Sequence, residues 1–377
     1  MAKNVMIIAG EASGDKHAAM LLRALQKKAG DIRFWGIGGD EMASLGVELL
    51  YHLRQMAFLG LSEVVRHLPF ILKVIRNLKK EMLRRKPDAI ILVDYPGFNL
   101  RMARIAHNLG IPVIYYICPQ LWAWGESRVE KIRRFVDLPL VIFEFERDFY
   151  AKHGIEAHFV GHPIVDEVEI NLSEEEFRRL NGLTDDKPII GMLPGSRKNE
   201  VRSLLPVLTK AIEKFPNAEN YYWLISRADA LQDQEAELFS NLPEMIKIAQ
   251  GGSHHLMKYS RVIVSASGTA TLETAYMGTP LIVLYKVAPL TYYIGKRLVK
   301  IEHISLANIV SGETVVPELI QGDATAEKLN QYLLKYLEDN SFYAATRKKL
   351  ERIPALLGGR GAAEKAATTV VNFLEAR

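Results

Sequence analysis

Ile189-Ile190-Gly191-Met192-Leu193-Pro194-Gly195-Ser196-Arg197 is a short apolar run that empties into a glycine-bearing turn and ends on a cation. It repeats in kind what stands near the start of the chain, Val5-Met6-Ile7-Ile8-Ala9 followed by Gly10-Glu11-Ala12-Ser13-Gly14-Asp15. A brief apolar run closed by such a turn reads as a strand buried on both faces. Comparable runs follow the first one at 34–37, 89–93, 113–117, 138–142 and 158–160, with helical stretches such as 16–28, 99–109 and 128–135 between them. After Gly161-His162-Pro163 and the acidic stretch 166–176 the alternation begins again, with strands expected at 189–193, 222–225, 262–264 and 281–284. The fold class this predicts is α/β: two Rossmann-like domains, each a parallel sheet between helices, facing a central cleft at their strand ends. Residues 1–165 form the first domain and 166–350 the second. Residues 351–377 add a C-terminal helix, which in this architecture often crosses back over the first domain.

At 377 residues, with 49% hydrophobic and 24% charged, the chain is too long for one ordinary core and suits two. Its one cysteine, Cys118, permits no internal disulfide and fits a reducing compartment. It reads as a small buried hydrophobe rather than a nucleophile. Residues 1–9 do not read as a signal peptide, since the apolar run is short and leads straight into a glycine-rich loop. No uncharged stretch reaches the roughly 20 residues needed to span a bilayer. The net charge of +4 is mild, and a nucleic-acid partner is not expected.

Four loops carry the candidate chemistry. Gly10 to Asp15 opens a helix but matches neither the Gly-x-Gly-x-x-Gly fingerprint nor a Walker loop, which argues against nicotinamide and ATP chemistry. Ser13 or Asp15 capping that helix is the plainer reading. In the second domain Gly195 lets backbone approach a ligand, and Ser196 is expected to cap the next helix. Arg197 adds a forked cation suited to phosphate. Ser265-Ala266-Ser267-Gly268-Thr269-Ala270-Thr271-Leu272-Glu273 forms a second cradle of the same type. There Glu273 could accept ribose hydroxyls, or simply serve the helix as a capping carboxylate. Asp94, in Asp94-Tyr95-Pro96-Gly97-Phe98-Asn99, ends a buried strand and is either a general base or the cap of the following helix. No Asp-x-Asp occurs in the chain, so a diphosphate would be held by helix N-termini and Arg197 without a metal or other cofactor.

Trp122 and Trp124 could wall an apolar site, with core packing an equal alternative. His162, before a proline at the domain junction, reads first as part of a hinge. Between residues 56 and 86, Phe58, Leu59, Phe70 and Ile71 alternate with Arg66, Lys73 and Arg76. That pattern suits either an anionic membrane surface or a helix packed on the sheet with its cations in water.

In order and spacing, these motifs resemble those of the lipid-A-disaccharide synthase family over nearly the whole chain. The residues that carry the resemblance are Ala9 to Asp15, Asp94 to Asn99, Tyr115-Tyr116 with Trp122-Ala123-Trp124, and Val160 to Pro163. Leu193 to Arg197 with Glu200 and Ser267 to Glu273 continue it, with weaker support from Gly278-Thr279-Pro280 and Ser305 to Asn308. The resemblance implies a metal-independent inverting glycosyltransferase of the GT-B fold. Such an enzyme moves 2,3-diacylglucosamine from UDP-2,3-diacylglucosamine to 2,3-diacylglucosamine 1-phosphate at the inner face of the cytoplasmic membrane, where the chain would be peripheral. A homodimer is among the partners considered. Asp94 and Arg197 match the family's essential aspartate and arginine. Gly195, Ser196, Arg197, Gly268, Thr269, Glu273 and Asn308 are the expected UDP contacts, and Glu11, Ser13, Asp15, Asn99, Trp122 and Trp124 the expected acceptor and lipid contacts. Two departures stand out. Tyr95 and Gly97 replace residues of the usual Asp-Ala-Pro-Asp-Phe-Asn, which leaves Asp94 as that loop's one carboxylate, and Ala307 replaces a proline beside Asn308. A UDP-N-acetylglucosamine 2-epimerase, a peptidoglycan-precursor transferase and a non-catalytic nucleotide-sugar or lipid-binding module remain as other readings.

Overall fold

Runs that are apolar on both faces can be satisfied only inside a sheet covered on two sides, and this decides the architecture. The computed structural model describes residues 3–56, 68–123, 125, 128–228, 236–287 and 302–377. It divides into two compact units, residues 1–163 with 357–377, and residues 164–356. Phe58, Leu59, Arg66 and Trp124 lie outside the described residues.

The first unit holds β1 (Lys3–Ala9), β2 (Ile32–Gly38), β3 (Glu48–His52), β4 (Ala89–Val93), β5 (Val113–Tyr116), β6 (Leu138–Val141) and β7 (His158–Phe159). They run parallel in the order β3-β2-β1-β4-β5-β6-β7. The second unit holds β8 (Ile189–Leu193), β9 (Tyr222–Ile225), β10 (Ile246–Ile248), β11 (Val262–Ala266), β12 (Leu281–Tyr285) and β13 (Glu318–Ile320). These are also parallel, in the order β10-β9-β8-β11-β12-β13. Each sheet therefore reverses its winding once, between β1 and β4 and between β8 and β11. Such a switch point leaves a crevice at the carboxyl ends of the strands, where open α/β sheets bind ligands.

Helices cover the sheets through regularly spaced apolar residues. In the helix Leu68–Arg85, Val74, Leu78 and Met82 are fully buried at four-residue intervals, and each stabilises the fold by about 1.5–3 kcal/mol. The last helix, Ala362–Glu375, packs along the helix Ala12–Ala29. Ala362, Ala363, Ala366 and Ala367 on one side and Ala18 and Ala19 on the other are buried, and their small side chains let the two backbones come close. The chain's return to the first unit is pinned where the His162 N–H donates to the Leu357 carbonyl at 2.9 Å. Among the described residues no helix is long and apolar enough to cross a membrane.

Candidate active site

In the first unit the switch point is formed by the loops after β1 and β4. Asp94 and Tyr95 both adopt left-handed backbone conformations, with φ of 45° and 49°. Each such non-glycine residue costs of order 1–3 kcal/mol, so the surroundings must hold it. Asn99, fully buried, donates from Nδ2 to the carbonyls of Val93 (3.1 Å) and Asp94 (2.7 Å). The Tyr115 hydroxyl donates to the same Asp94 carbonyl at 2.8 Å. The Tyr95 ring lies against Gly10, where a Cβ would stand 2.3 Å from Tyr95 Cδ1, so only glycine fits. The result is a tightly braced turn that presents the Asp94 carboxyl at the end of β4. Burial raises the pKa of that carboxyl and the negative charge of Glu11 raises it further, against the Tyr95 backbone N–H and His17.

Two of the expected acceptor contacts prove internal. Asp15 is buried and accepts from the backbone N–H groups of Gly39 (2.6 Å), Glu41 (3.1 Å) and Met42 (3.3 Å). It thereby caps a different helix, Asp40–Ser44, and leaves its own helix start without a side-chain cap. Asn99 spends its Nδ2 in bracing Asp94, as above, and the side chain is fully buried, Oδ1 included. Glu11, at the N-cap, and Ser13, in the first turn of the helix Ala12–Ala29, remain exposed. Trp122 is partly buried. Its indole N–H donates to Glu146 Oε1 at 2.9 Å, and its ring meets Phe145 edge-on at 5.0 Å. Phe70 and Ile71 turn inward onto the first unit's core, with Phe70 edge-on to Tyr51 at 6.3 Å. The exposed apolar residues of that helix are instead Leu68, Leu72 and Leu83, beside exposed Lys73 and Arg76.

In the second unit a cavity of about 800 Å³ opens at the carboxyl ends of β8 to β11. Gly195, Ser196, Gly268, Thr269 and Glu273 line it together, with Glu200, Arg227 and His254. The helices Lys198–Glu213 and Thr269–Tyr276 begin at its edge. The positive ends of two helix dipoles therefore meet at this cavity, an arrangement suited to an anion. Gly195, with φ of 110°, lies under Glu200, whose Oε2 would be 2.5 Å from a Cβ at this position. The first of those helices starts one residue later than expected, so Arg197 rather than Ser196 is its N-cap. The Arg197 side chain is 81% exposed and pairs with Glu200 Oε1 at 3.3 Å, outside the cavity lining. Glu273 faces His254, with Nε2 4.0 Å from its Oε2.

Asn308 does not join this set. It is fully buried, and both ends of its amide are used within the protein. Nδ2 donates to Val316 O and Glu318 Oε1, each at 2.9 Å, and Oδ1 accepts from the N–H groups of Val315 (2.8 Å) and Val316 (3.0 Å). An amide so fully bonded is a staple, with nothing left for a nucleotide. Conversely, sequence reasoning passed over Arg227 and His254. Their signals were a residue just past a strand end and the Gly251-Gly252 pair opening a helix, both weaker than the Gly-Ser-Arg turn.

The sequence profile of the family described as "Lipid-A-disaccharide synthetase" matches residues 5–371. Similar proteins include the lipid-A-disaccharide synthase of Trichlorobacter lovleyi, 42% identical over 375 residues that cover 99% of this chain and 98% of that one. The lipid-A-disaccharide synthase of Syntrophus aciditrophicus is 43% identical over 376 residues, with coverage of 99% and 98%. Among solved structures, the UDP-GlcNAc 2-epimerase of Neisseria meningitidis bound to UDP-GlcNAc has a TM-score of 0.66 at 14% identity, covering 99% of this chain and 100% of that one. A calicheamicin glycosyltransferase has a TM-score of 0.64 at 13% identity, covering 100% and 99%. Likeness at such low identity speaks for the GT-B fold and not for the chemistry. The chemistry follows the full-length kinship, and the chain belongs to the lipid-A-disaccharide synthase family.

Proposed function

We propose that this chain is a lipid-A-disaccharide synthase. It transfers 2,3-diacylglucosamine from UDP-2,3-diacylglucosamine to 2,3-diacylglucosamine 1-phosphate, giving the β-1,6-linked tetra-acyl disaccharide 1-phosphate and UDP. The observation that carries the reading is the end-to-end family match, residues 5–371. The two switch points supply the chemistry that the reaction needs.

The 800 Å³ cavity is of the size expected for a small-molecule site, about 300–1,000 Å³. In this reading it takes the UDP moiety. Amides at Gly195, Ser196, Gly268 and Thr269 face the diphosphate and Glu273 accepts the ribose hydroxyls. Arg197 starts from an exposed ion pair with Glu200, an interaction worth about 0–1 kcal/mol, and exchanges it for phosphate oxygens at little cost. Asp94 is the general base. It takes the proton of the acceptor's 6-hydroxyl as that oxygen attacks the anomeric carbon from the face opposite UDP, so the C–O bond to UDP breaks as the new one forms. Arg197 and the helix-start amides absorb the charge on departing UDP, in place of a metal. The exposed Leu68, Leu72 and Leu83, set among Lys73, Arg76, Lys79 and Lys80, give the helix Leu68–Arg85 a surface for the anionic inner face of the membrane, where both lipid substrates reside.

Purified protein given both acylated substrates should release UDP and form the tetra-acyl disaccharide, with or without chelator. UDP-N-acetylglucosamine offered alone should be neither epimerised nor transferred. Epimerisation of that compound would defeat the reading, and loss of turnover with chelator would defeat its metal-free part.

A further inference from the structure

Glu146 is fully enclosed, and the transfer reaction as described gives it no part. It sits in the first turn of the helix Glu144–Lys152 and receives three donors. The Trp122 indole N–H reaches Oε1 at 2.9 Å, while the backbone N–H groups of Ile142 and Phe143 reach Oε2 at 3.2 and 3.1 Å. Among the described residues no lysine or arginine pairs with it.

Capping a helix start does not need a buried charge. Glu176 performs the same service for the helix Glu174–Leu180 at the surface, where its hydrogen bonds with Ser173 lower its pKa. Glu146 does it under burial, which pushes its pKa up to about 7 against the pull of all three donors. The titratable groups facing it are Cys118, from the segment after β5, and Tyr150, on its own helix; neither is a cation that would offset burial. The feature that separates Glu146 from a plain cap is its Oε1 bond, which leaves the helix and ends on Trp122.

The same helix grips that loop a second time, through the Tyr150 hydroxyl donating to the Pro119 carbonyl at 3.0 Å. Ring contacts continue from Trp122 to Phe145, from Phe145 to Phe143 (5.4 Å, stacked at 11°) and from Phe143 to His162 (4.9 Å). Among the described residues Trp122 ends this aromatic row, and its indole nitrogen is held by Glu146.

We propose that Glu146 is a positioning residue for the transfer reaction: its hydrogen bond to the Trp122 indole holds the loop that shapes the acceptor site and so sets acceptor affinity rather than the rate of the chemical step. The proposal rests on the reading of Trp122 as an acceptor contact. A glutamine at 146 presents one acceptor oxygen in place of two, so it serves either the indole or the backbone pair. A phenylalanine at 122 keeps the ring and removes the donor.

The test is a double-mutant cycle on Glu146→Gln and Trp122→Phe, with KM measured separately for donor and acceptor and folding checked by thermal melting. Loss of one charge-assisted hydrogen bond predicts that each single variant raises acceptor KM roughly tenfold. Donor KM and kcat should stay within about twofold, and the double variant should be no worse than the poorer single one. A folded Glu146→Gln enzyme with unchanged acceptor KM, beside a Trp122→Phe enzyme with raised KM, would overturn the positioning role while sparing the acceptor reading. So would effects that simply multiply in the double variant. An unchanged acceptor KM for Trp122→Phe would instead overturn the acceptor reading of Trp122, and the proposal with it.

Discussion

The two switch points share a topology and differ in almost everything else. Both are loops at the carboxyl ends of central parallel strands, where the winding reverses. In the first unit the loops carry carboxylates, Glu11 and Asp94, and the charge of one makes the other harder to ionise. In the second unit they carry glycines, hydroxyls and helix starts around an open cavity, with cations at Arg197 and Arg227. In the proposed reading one site holds the proton acceptor and the other receives the diphosphate. Topology fixes where ligands can bind, while the residues spent on each loop decide what is done there.

The sharpest way to break this contrast is to take the basic carboxylate away. Asp94→Asn should lower kcat by about 10²–10⁴-fold and leave the affinity for UDP unchanged within about twofold by calorimetry. It should not cost stability. Asp94's folded pKa lies above its ordinary value, so the ionised side chain subtracts stability at pH above that folded pKa. The penalty fades as pH falls through it. A neutral asparagine carries no such burden, and its melting temperature at pH 8 should equal or exceed that of the parent. Near-full turnover in Asp94→Asn would remove the base from the first unit.

The second unit offers two probes that should respond differently. Asn308→Ala removes four hydrogen bonds from a fully buried site and should cost about 2–4 kcal/mol in urea unfolding, with kcat and donor KM nearly unchanged in the folded fraction. Glu273→Ala should do the reverse. Donor KM should rise about 10- to 100-fold, with little change in stability, because its carboxylate faces the cavity rather than the core. If Asn308→Ala raised donor KM with no loss of stability, the staple would have to be read as a nucleotide contact.

Much of this arrangement is legible in the sequence because central strands announce themselves. β4, β8 and β11 are buried along their whole length and β1 is buried from Val5 onward, and each is built on a run of apolar residues. The strands that went unforeseen, β3, β10 and β13, all lie at sheet edges. Their Glu48, Lys247 and Glu318 interrupt the apolar signal where one flank faces no further strand. Among polar residues the sequence gives the kind of group but not its direction. Asp15, Asn99 and Asn308 stand in or just after glycine- or serine-bearing stretches of sequence, just as Asp94 and Glu273 do. Only the fold reveals that Asp15, Asn99 and Asn308 are buried and turned to hydrogen bonds within the protein. Arg197 is the converse case, a motif residue whose side chain lies in solvent beside Glu200. Glu146 gave no sign at all, since its partner Trp122 is 24 residues away in the chain.

The smallest effect probes the contrast most finely. If Asp94 is the base, the acid limb of kcat/KM marks its protonation, because the protonated form cannot accept the acceptor's hydroxyl proton. That limb should lie above the range of an ordinary aspartate, with burial as the main cause and Glu11 as the second. Burial cannot be removed without rebuilding the turn, but the charge can. Glu11 is exposed and its carboxyl braces nothing at the helix start, so Glu11→Gln should leave the fold intact. It removes one negative charge near Asp94, so Asp94 ionises more readily and the acid limb should move to lower pH. The move should be modest, since the larger cause is untouched, and salt should shrink it further. pH profiles of the two proteins at low and high ionic strength measure this directly. A limb that stays in place would mean that the first unit's acidity is set by burial alone, and a limb that moves upward would mean that Glu11 does not act on Asp94 through its charge.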